Sequence, residues 1–189
     1  PRVLLMNIEA LSTVERAREL CRAFLEPRDR GSVMAVGEST CIKGQSKRTE
    51  AALELGEWAT YRRIETGLIA PHSPLDLFYQ FYFLDPKILR QQSWFGFRAR
   101  YAFMKDMCFL PKAKQAEFKA KRRRLPTSKV VVAYRNEEEL RGLIDPYTYH
   151  KRFRDCAKAP PGTYRFRDVT LTPEQARMYR EFKDYATAK

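Results

Sequence analysis

SVMAVGESTCIK, residues 32–43, is the stretch on which the reading of the whole chain turns. Val33-Met34-Ala35-Val36 is an unbroken apolar run, and Gly37-Glu38-Ser39-Thr40 ends it. A short apolar run bounded by turn residues reads as a strand buried on both faces. Helical periodicities flank it on both sides, which predicts an α/β sheet. Ligands of such sheets bind beyond the carboxyl ends of the strands. Glu38 is therefore expected where chemistry is usually done, orienting water or helping to hold a phosphate-bound magnesium. The same four residues also read as no more than a polar turn leaving a core strand.

Length and charge set the outer bounds. With 189 residues, 44% of them hydrophobic and including 12 Phe and 10 Tyr, the chain can bury a substantial core. That composition excludes a disordered chain. Lys and Arg number 36 against 23 Asp and Glu, a net charge of +13. Such an excess favours a polyanionic partner, nucleic acid before membrane. No apolar stretch has the length of a membrane span, and no signal peptide is visible. Cys21, Cys41, Cys108 and Cys156 lie far apart, with only His72 and His150 to assist them. They read as buried or idle thiols of a reducing cytoplasm, with no metal ligand set. Pro1 in place of Met suggests a piece of a longer polypeptide.

From the amino end, Val3-Leu4-Leu5-Met6 reads as another buried strand. Ser12 with Glu15 makes a capping box for a helix burying Val14, Ala17, Leu20, Cys21, Phe24 and Leu25. Ser46 to Ala59 is a second helix through Ala51, Leu55 and Trp58, and Tyr61-Arg62-Arg63-Ile64 a short strand. Strands alternating with helices in this way call for crossovers and a parallel sheet.

Ser73-Pro74-Leu75-Asp76 opens the next helix with a cap and Pro at the first helical position. The helix continues through Leu77, Phe78, Phe81, Tyr82 and Leu84, aromatics dense enough to read as core rather than as a stacking platform. Trp94 to Met107 is predicted as a further helix. Residues 111–129 then read PKAKQAEFKAKRRRLPTSK, eight Lys or Arg against the single Glu117. This basic insertion, spanning 108–129, is expected to be a surface loop or marginal helix contacting phosphates through Lys112, Lys114, Lys119, Lys121, Arg122, Arg123 and Arg124. A solvated loop with no particular partner has the same composition.

Lys129 to Tyr134 is the clearest β-branched strand. Asn136 caps a helix through Leu140, Leu143 and Ile144. Residues 149–155 alternate loosely, Pro160-Pro161-Gly162 turns, and Thr163 to Leu171 alternates well enough for a strand. Thr172-Pro173-Glu174-Gln175 starts a last helix through Ala176, Tyr179, Phe182 and Tyr185.

Taken together, several pieces resemble a family. NIEALST at 7–13, GESTCIKGQSKRTE at 37–50, SPLDLFYQFYFLDPKIL at 73–89 and FRARYAFM at 97–104 look like the first motor lobe of Swi/Snf-like helicases, in the form carried by bacteriophages and bacteria. The likeness continues through YRNEEELRGLIDPYTYHKRFRDC at 134–156 to LTPEQARMYREF at 171–182, which resembles the approach to the second lobe. It implies a three-layer α/β/α, partial RecA-like (P-loop NTPase) lobe with a mainly parallel sheet over residues 1–168, followed by the start of a second lobe over 169–189. The implied partners are DNA, double-stranded in preference, and the rest of the helicase polypeptide, in the cytoplasm of a bacterium or infected host. The implied cofactors are ATP and magnesium, held at Gly37, Glu38, Thr66 and Gly67, with Glu38 as the catalytic residue that orients the attacking water.

Departures from the family pattern are specific. The family's Asp-Glu falls on Gly37-Glu38, so only the Glu matches. Its Leu-Thr-Gly-Thr-Pro falls on Glu65-Thr66-Gly67-Leu68-Ile69, where only Thr66 and Gly67 match and Glu65 puts a charge at a strand end expected to be apolar. No G-x-x-x-x-G-K-[ST] phosphate loop occurs in the 189 residues. Two functions stay open: a fragment of an ATP-driven DNA translocase or helicase, not ATPase-competent by itself, and a degenerate, non-catalytic protein that binds nucleic acid or a partner. A nuclease would need a compact set of Asp, Glu and His, which the sequence lacks.

Overall fold

In the computed structural model, which describes residues 2–26, 31–106, 109–113, 116, 129–151, 153–156 and 163–187, the first helix starts at Asn7. The Asn7 side chain accepts the Glu9 amide at 2.9 Å, and α1 runs Ile8–Thr13. Ser12 is therefore inside a helix and not the expected cap. Its hydroxyl and that of Thr13 both donate back to the Glu9 carbonyl, a pattern that competes with the helical ladder. Val14 is extended, and α2 follows over Glu15–Leu25. Cys21 and Leu25 are buried, but Val14, Leu20 and Phe24 remain exposed. The expected apolar stripe is thus only half covered.

Residues before α1 correct a second expectation. Val3 to Met6 forms no strand, and no described residue pairs with it. Leu4 and Met6 lie against the core while Val3 and Leu5 face outward, Leu5 with 89% exposure. The alternation of a strand is present without a hydrogen-bonded neighbour.

Strand β1 is Val33–Gly37, α3 is Lys47–Gly56 and β2 is Tyr61–Glu65. Ser46 caps α3 by accepting the Thr49 amide at 3.3 Å, as its position before the apolar periodicity predicts. The two strands are parallel, with Val33 opposite Tyr61 and Gly37 opposite Glu65. Burial on both faces is not observed. Val36 is buried and Met34 half-buried, whereas Val33 is 61% exposed and Ala35 and Gly37 are open. Among the described residues, helices cover one side only. Beneath that side, Leu11, Cys21, Leu25, Ala51 and Leu55 form one cluster, and Val36, Ile42, Ala52 and Phe83 another.

Pro74–Asp76 is a 3₁₀ turn that leads into α4, Leu77–Leu84. Asp76 accepts the amides of His72 and Ser73 at 2.9 and 3.4 Å, so the expected cap and first-position Pro are in place. Helix α5 is Trp94–Tyr101, six residues shorter than predicted at its carboxyl end. Ala102–Asp106 leaves it as β3 and pairs antiparallel with β4, Lys129–Tyr134. That strand pairing, which a local periodicity cannot register, overrides the helical pattern. Among the described residues, the expected mainly parallel sheet is therefore two separate pairs, one parallel and one antiparallel, in a mixed α/β chain. Phe78, Phe81, Phe97 and Tyr101 are buried with Leu89 and Leu140, each such side chain contributing about 1.5 to 3 kcal/mol. The aromatics are core, as their density implies.

Asn136 precedes α6, Glu137–Ile144, in a left-handed conformation with φ 55°. Its side chain does not cap that helix. It donates instead to the Arg100 carbonyl at 2.9 Å, tying α6 to the end of α5.

The chain divides into two compact units, Pro1–Tyr149 and His150–Lys189. The second holds a short helix α7, Phe153–Cys156, within the stretch read as loosely alternating, and α8, Pro173–Thr187. Thr163 to Leu171 has no regular secondary structure and pairs with no described residue, so the strand expected there does not form among the described residues. Thr172 and Gln175 cap α8 reciprocally, the Thr172 amide reaching Oε1 at 3.0 Å and the Gln175 amide reaching Oγ1 at 3.3 Å. The turn at Pro160-Pro161-Gly162 and Cys108 lie outside the described residues.

Candidate functional site

Parallel pairing brings the ends of β1 and β2 level, so the residues just past Gly37 and Glu65 face the same region. Glu38 turns the chain there in a left-handed conformation, φ 49° and ψ 56°. For a residue with a Cβ that conformation costs about 1 to 2 kcal/mol. It aims the Glu38 carbonyl at the Cys41 amide, 2.9 Å away, and starts a 3₁₀ turn over Ser39–Ile42. The Glu38 carboxylate is exposed, and the Thr66 hydroxyl lies 3.4 Å from its Oε2. That hydroxyl also accepts the Leu68 amide at 3.3 Å. Thr66 thus joins the turn after β1 to the turn after β2.

Below this surface lies a network that sequence reading missed. Gln80 of α4 is fully buried and accepts the Ser39 hydroxyl at 2.6 Å. Its amide donates to the carbonyls of Ile69 and Asp76 at 2.7 and 2.8 Å. One side chain therefore holds the turn after β1, the loop after β2 and the start of α4. The signal was available: Gln80 is the polar interruption of an otherwise apolar helix, FYQFYF at 78–83.

Glu65 does not match its expected surroundings. Its side chain is 61% exposed and pairs with Arg63 at 3.1 Å, so no charge is buried at that strand end. Gly37 and Gly67 both have open space where a Cβ would stand. Magnesium on a bound phosphate would find one carboxylate, Glu38, and no lysine from a phosphate loop. These residues alone do not make a nucleotide–metal site. Among the described residues no group of three His, Cys, Asp or Glu is placed to hold a metal ion.

A cleft of about 380 Å3 opens between α1 and the start of α3. Ser12, Thr40, Lys43, Ser46, Lys47 and Arg48 line it, with Cys41, whose thiol is pushed up chiefly by burial. Of the basic insertion, Lys112 is described and exposed. Lys114, Lys119, Lys121, Arg122, Arg123 and Arg124 lie outside the described residues. No helix among the described residues is long and apolar enough to cross a membrane. Comparison with family models, curated proteins and solved structures gives no match.

Proposed function

We propose that this chain is part of the first RecA-like lobe of a Swi/Snf-like, DNA-dependent ATPase of phage or bacterial type, and that it binds duplex DNA without hydrolysing ATP by itself. The observation that carries the reading is the placement of Glu38 and Thr66. Two residues matched to successive family motifs stand side by side, past the carboxyl ends of neighbouring parallel strands. In a working motor such a carboxylate orients the attacking water, and the family motif on which Thr66 falls couples nucleotide state to DNA. The order of the resembling segments along the chain, and its charge of +13, support the same reading.

A second reading is a degenerate protein that keeps the scaffold and binds nucleic acid only. Gly37 favours it, because the motif Asp is missing although there is room for its side chain.

Duplex binding by the 189-residue chain tests both against a protein with no nucleic-acid role. Anisotropy of a labelled duplex should show affinity falling steeply with salt, and Arg122→Ala with Arg123→Ala and Arg124→Ala should flatten the slope of log affinity on log salt by about 2 to 3 units. No binding at low salt removes both readings. An unchanged slope removes the insertion as the contact.

A further inference from the structure

We propose that the cleft between α1 and the start of α3 is a second phosphate-backbone site for nucleic acid, separate from the 108–129 insertion. The inference rests on the DNA-binding reading for the identity of the polyanion. Lys43, Lys47 and Arg48 fall within six residues and line one concavity with the hydroxyl-bearing Ser12, Thr40 and Ser46. Like charges gathered in this way repel one another unless acids or a ligand compensate. Here compensation is slight. Arg48 stands 3.5 Å from Glu9, both side chains about half exposed, and Lys43 and Lys47 have no ion-pair partner among the described residues. Lys43 is half-buried, its stem lying along the wall of the cleft as lysine stems do while the ammonium stays free to meet an anion.

Shape argues in the same direction. A volume of about 380 Å3 is far more than the about 30 Å3 share of a water molecule, and it accommodates a phosphate with the sugar beside it. The loop is held in form from within: Thr49, itself buried, donates to the Gly44 carbonyl and its amide to Ser46 Oγ. The cations therefore project from a fixed frame. A flexible lysine run, by contrast, loses side-chain entropy at each contact. Phosphate, presented repeatedly along a backbone, is the chemistry that three such groups recognise.

The test uses the whole chain and a labelled duplex. Lys43→Gln with Lys47→Gln and Arg48→Gln should lower affinity at low salt and flatten the salt slope by about 2 to 3 units, with an unchanged circular-dichroism melt. An equal-charge control, Lys87→Gln with Lys151→Gln and Arg167→Gln, should change the slope by less than about 1 unit. Wild-type slope in the cleft variant, with binding retained, overturns the site and leaves the DNA-binding reading standing. Absence of duplex binding by the wild type overturns both. Free phosphate is the other source of the same chemistry: if the cleft variant loses inorganic-phosphate binding in a calorimetric titration while keeping the wild-type duplex affinity and salt slope, the cleft belongs to a small anion and the polymer assignment fails.

Discussion

Ser39 donates its hydroxyl to Gln80 at 2.6 Å, and neither side chain reaches solvent. This contact joins the residue after Glu38 to a helix 41 positions further along. Because the Gln80 amide also holds the Ile69 carbonyl, the turn carrying Glu38 and the loop following Thr66 share one anchor.

Gln80→Leu is expected to destabilise the chain by about 2 to 3 kcal/mol, since it leaves the buried Ser39 hydroxyl unsatisfied. Ser39→Ala strands the Gln80 oxygen and should cost about 1 to 3 kcal/mol. The double variant should cost less than the sum, because both substitutions remove one contact. Urea unfolding of all four proteins measures this. Additive losses would mean that the two side chains do not depend on each other.

Two glycines should behave oppositely. A Cβ at Gly56 would stand 2.9 Å from the Phe83 ring and 3.3 Å from Arg62 Cδ, at the end of α3 where the backbone meets the core. Overpacking should outweigh any gain in helix propensity, so Gly56→Ala is expected to cost about 1 to 3 kcal/mol. Gly37→Ala meets open space and should change stability by less than about 0.5 kcal/mol. Equal melting temperatures for the two variants would show that Phe83 does not confine Gly56.

Alkaline stability should be governed in part by Tyr101. Burial first, and then its hydrogen bond to Glu139 at 3.1 Å, pushes this phenol up to about 12. An unfolded tyrosine ionises near about 10. Between about 10 and 12 the unfolded chain therefore releases a proton that the folded chain keeps, and stability falls as pH rises through that window. Tyr101→Phe should give a shallower decline there, at a modest loss near neutrality. The same steep decline in the Phe variant would assign the effect to another group.

Local chemistry is only partly a guide: the Ser12 and Asn136 caps fail although each needs no distant partner, while other local signals agree with the structure. Ser46, Thr172 with Gln175, and the β-branched run Lys129 to Tyr134 act within a few residues, and all were legible. The end of α5 was not, because β3 exists only by pairing with β4. Gln80 was visible as an odd polar residue, but its partners come from three separate segments. Glu65 was misread for the complementary reason. A motif register implied burial, whereas the sheet has no further described strand there and the carboxylate stays in water beside Arg63. Glu65→Leu should consequently shift stability by less than about 0.5 kcal/mol, as for an exposed ion pair. A clear rise in the denaturation midpoint would restore the buried assignment.

Catalysis provides the last expectation. Phosphoryl transfer to water depends on positioning and on neutralising charge with magnesium, Lys and Arg together. Among the described residues Glu38 is the plausible participant, and the Thr66 hydroxyl 3.4 Å from its carboxylate brings no charge. Gly37 gives a metal no carboxylate, and the 189 residues contain no G-x-x-x-x-G-K-[ST] sequence to form a phosphate loop. The chain is therefore expected neither to bind ATP tightly nor to hydrolyse it, with or without duplex DNA. Gly37→Asp should fold normally, because the position is open, and should still fail to restore turnover, because the missing loop dominates the loss. A steady-state phosphate-release assay at saturating DNA decides the matter. Turnover that disappears in Glu38→Gln would reveal a working site and remove the proposal that this chain is inactive by itself.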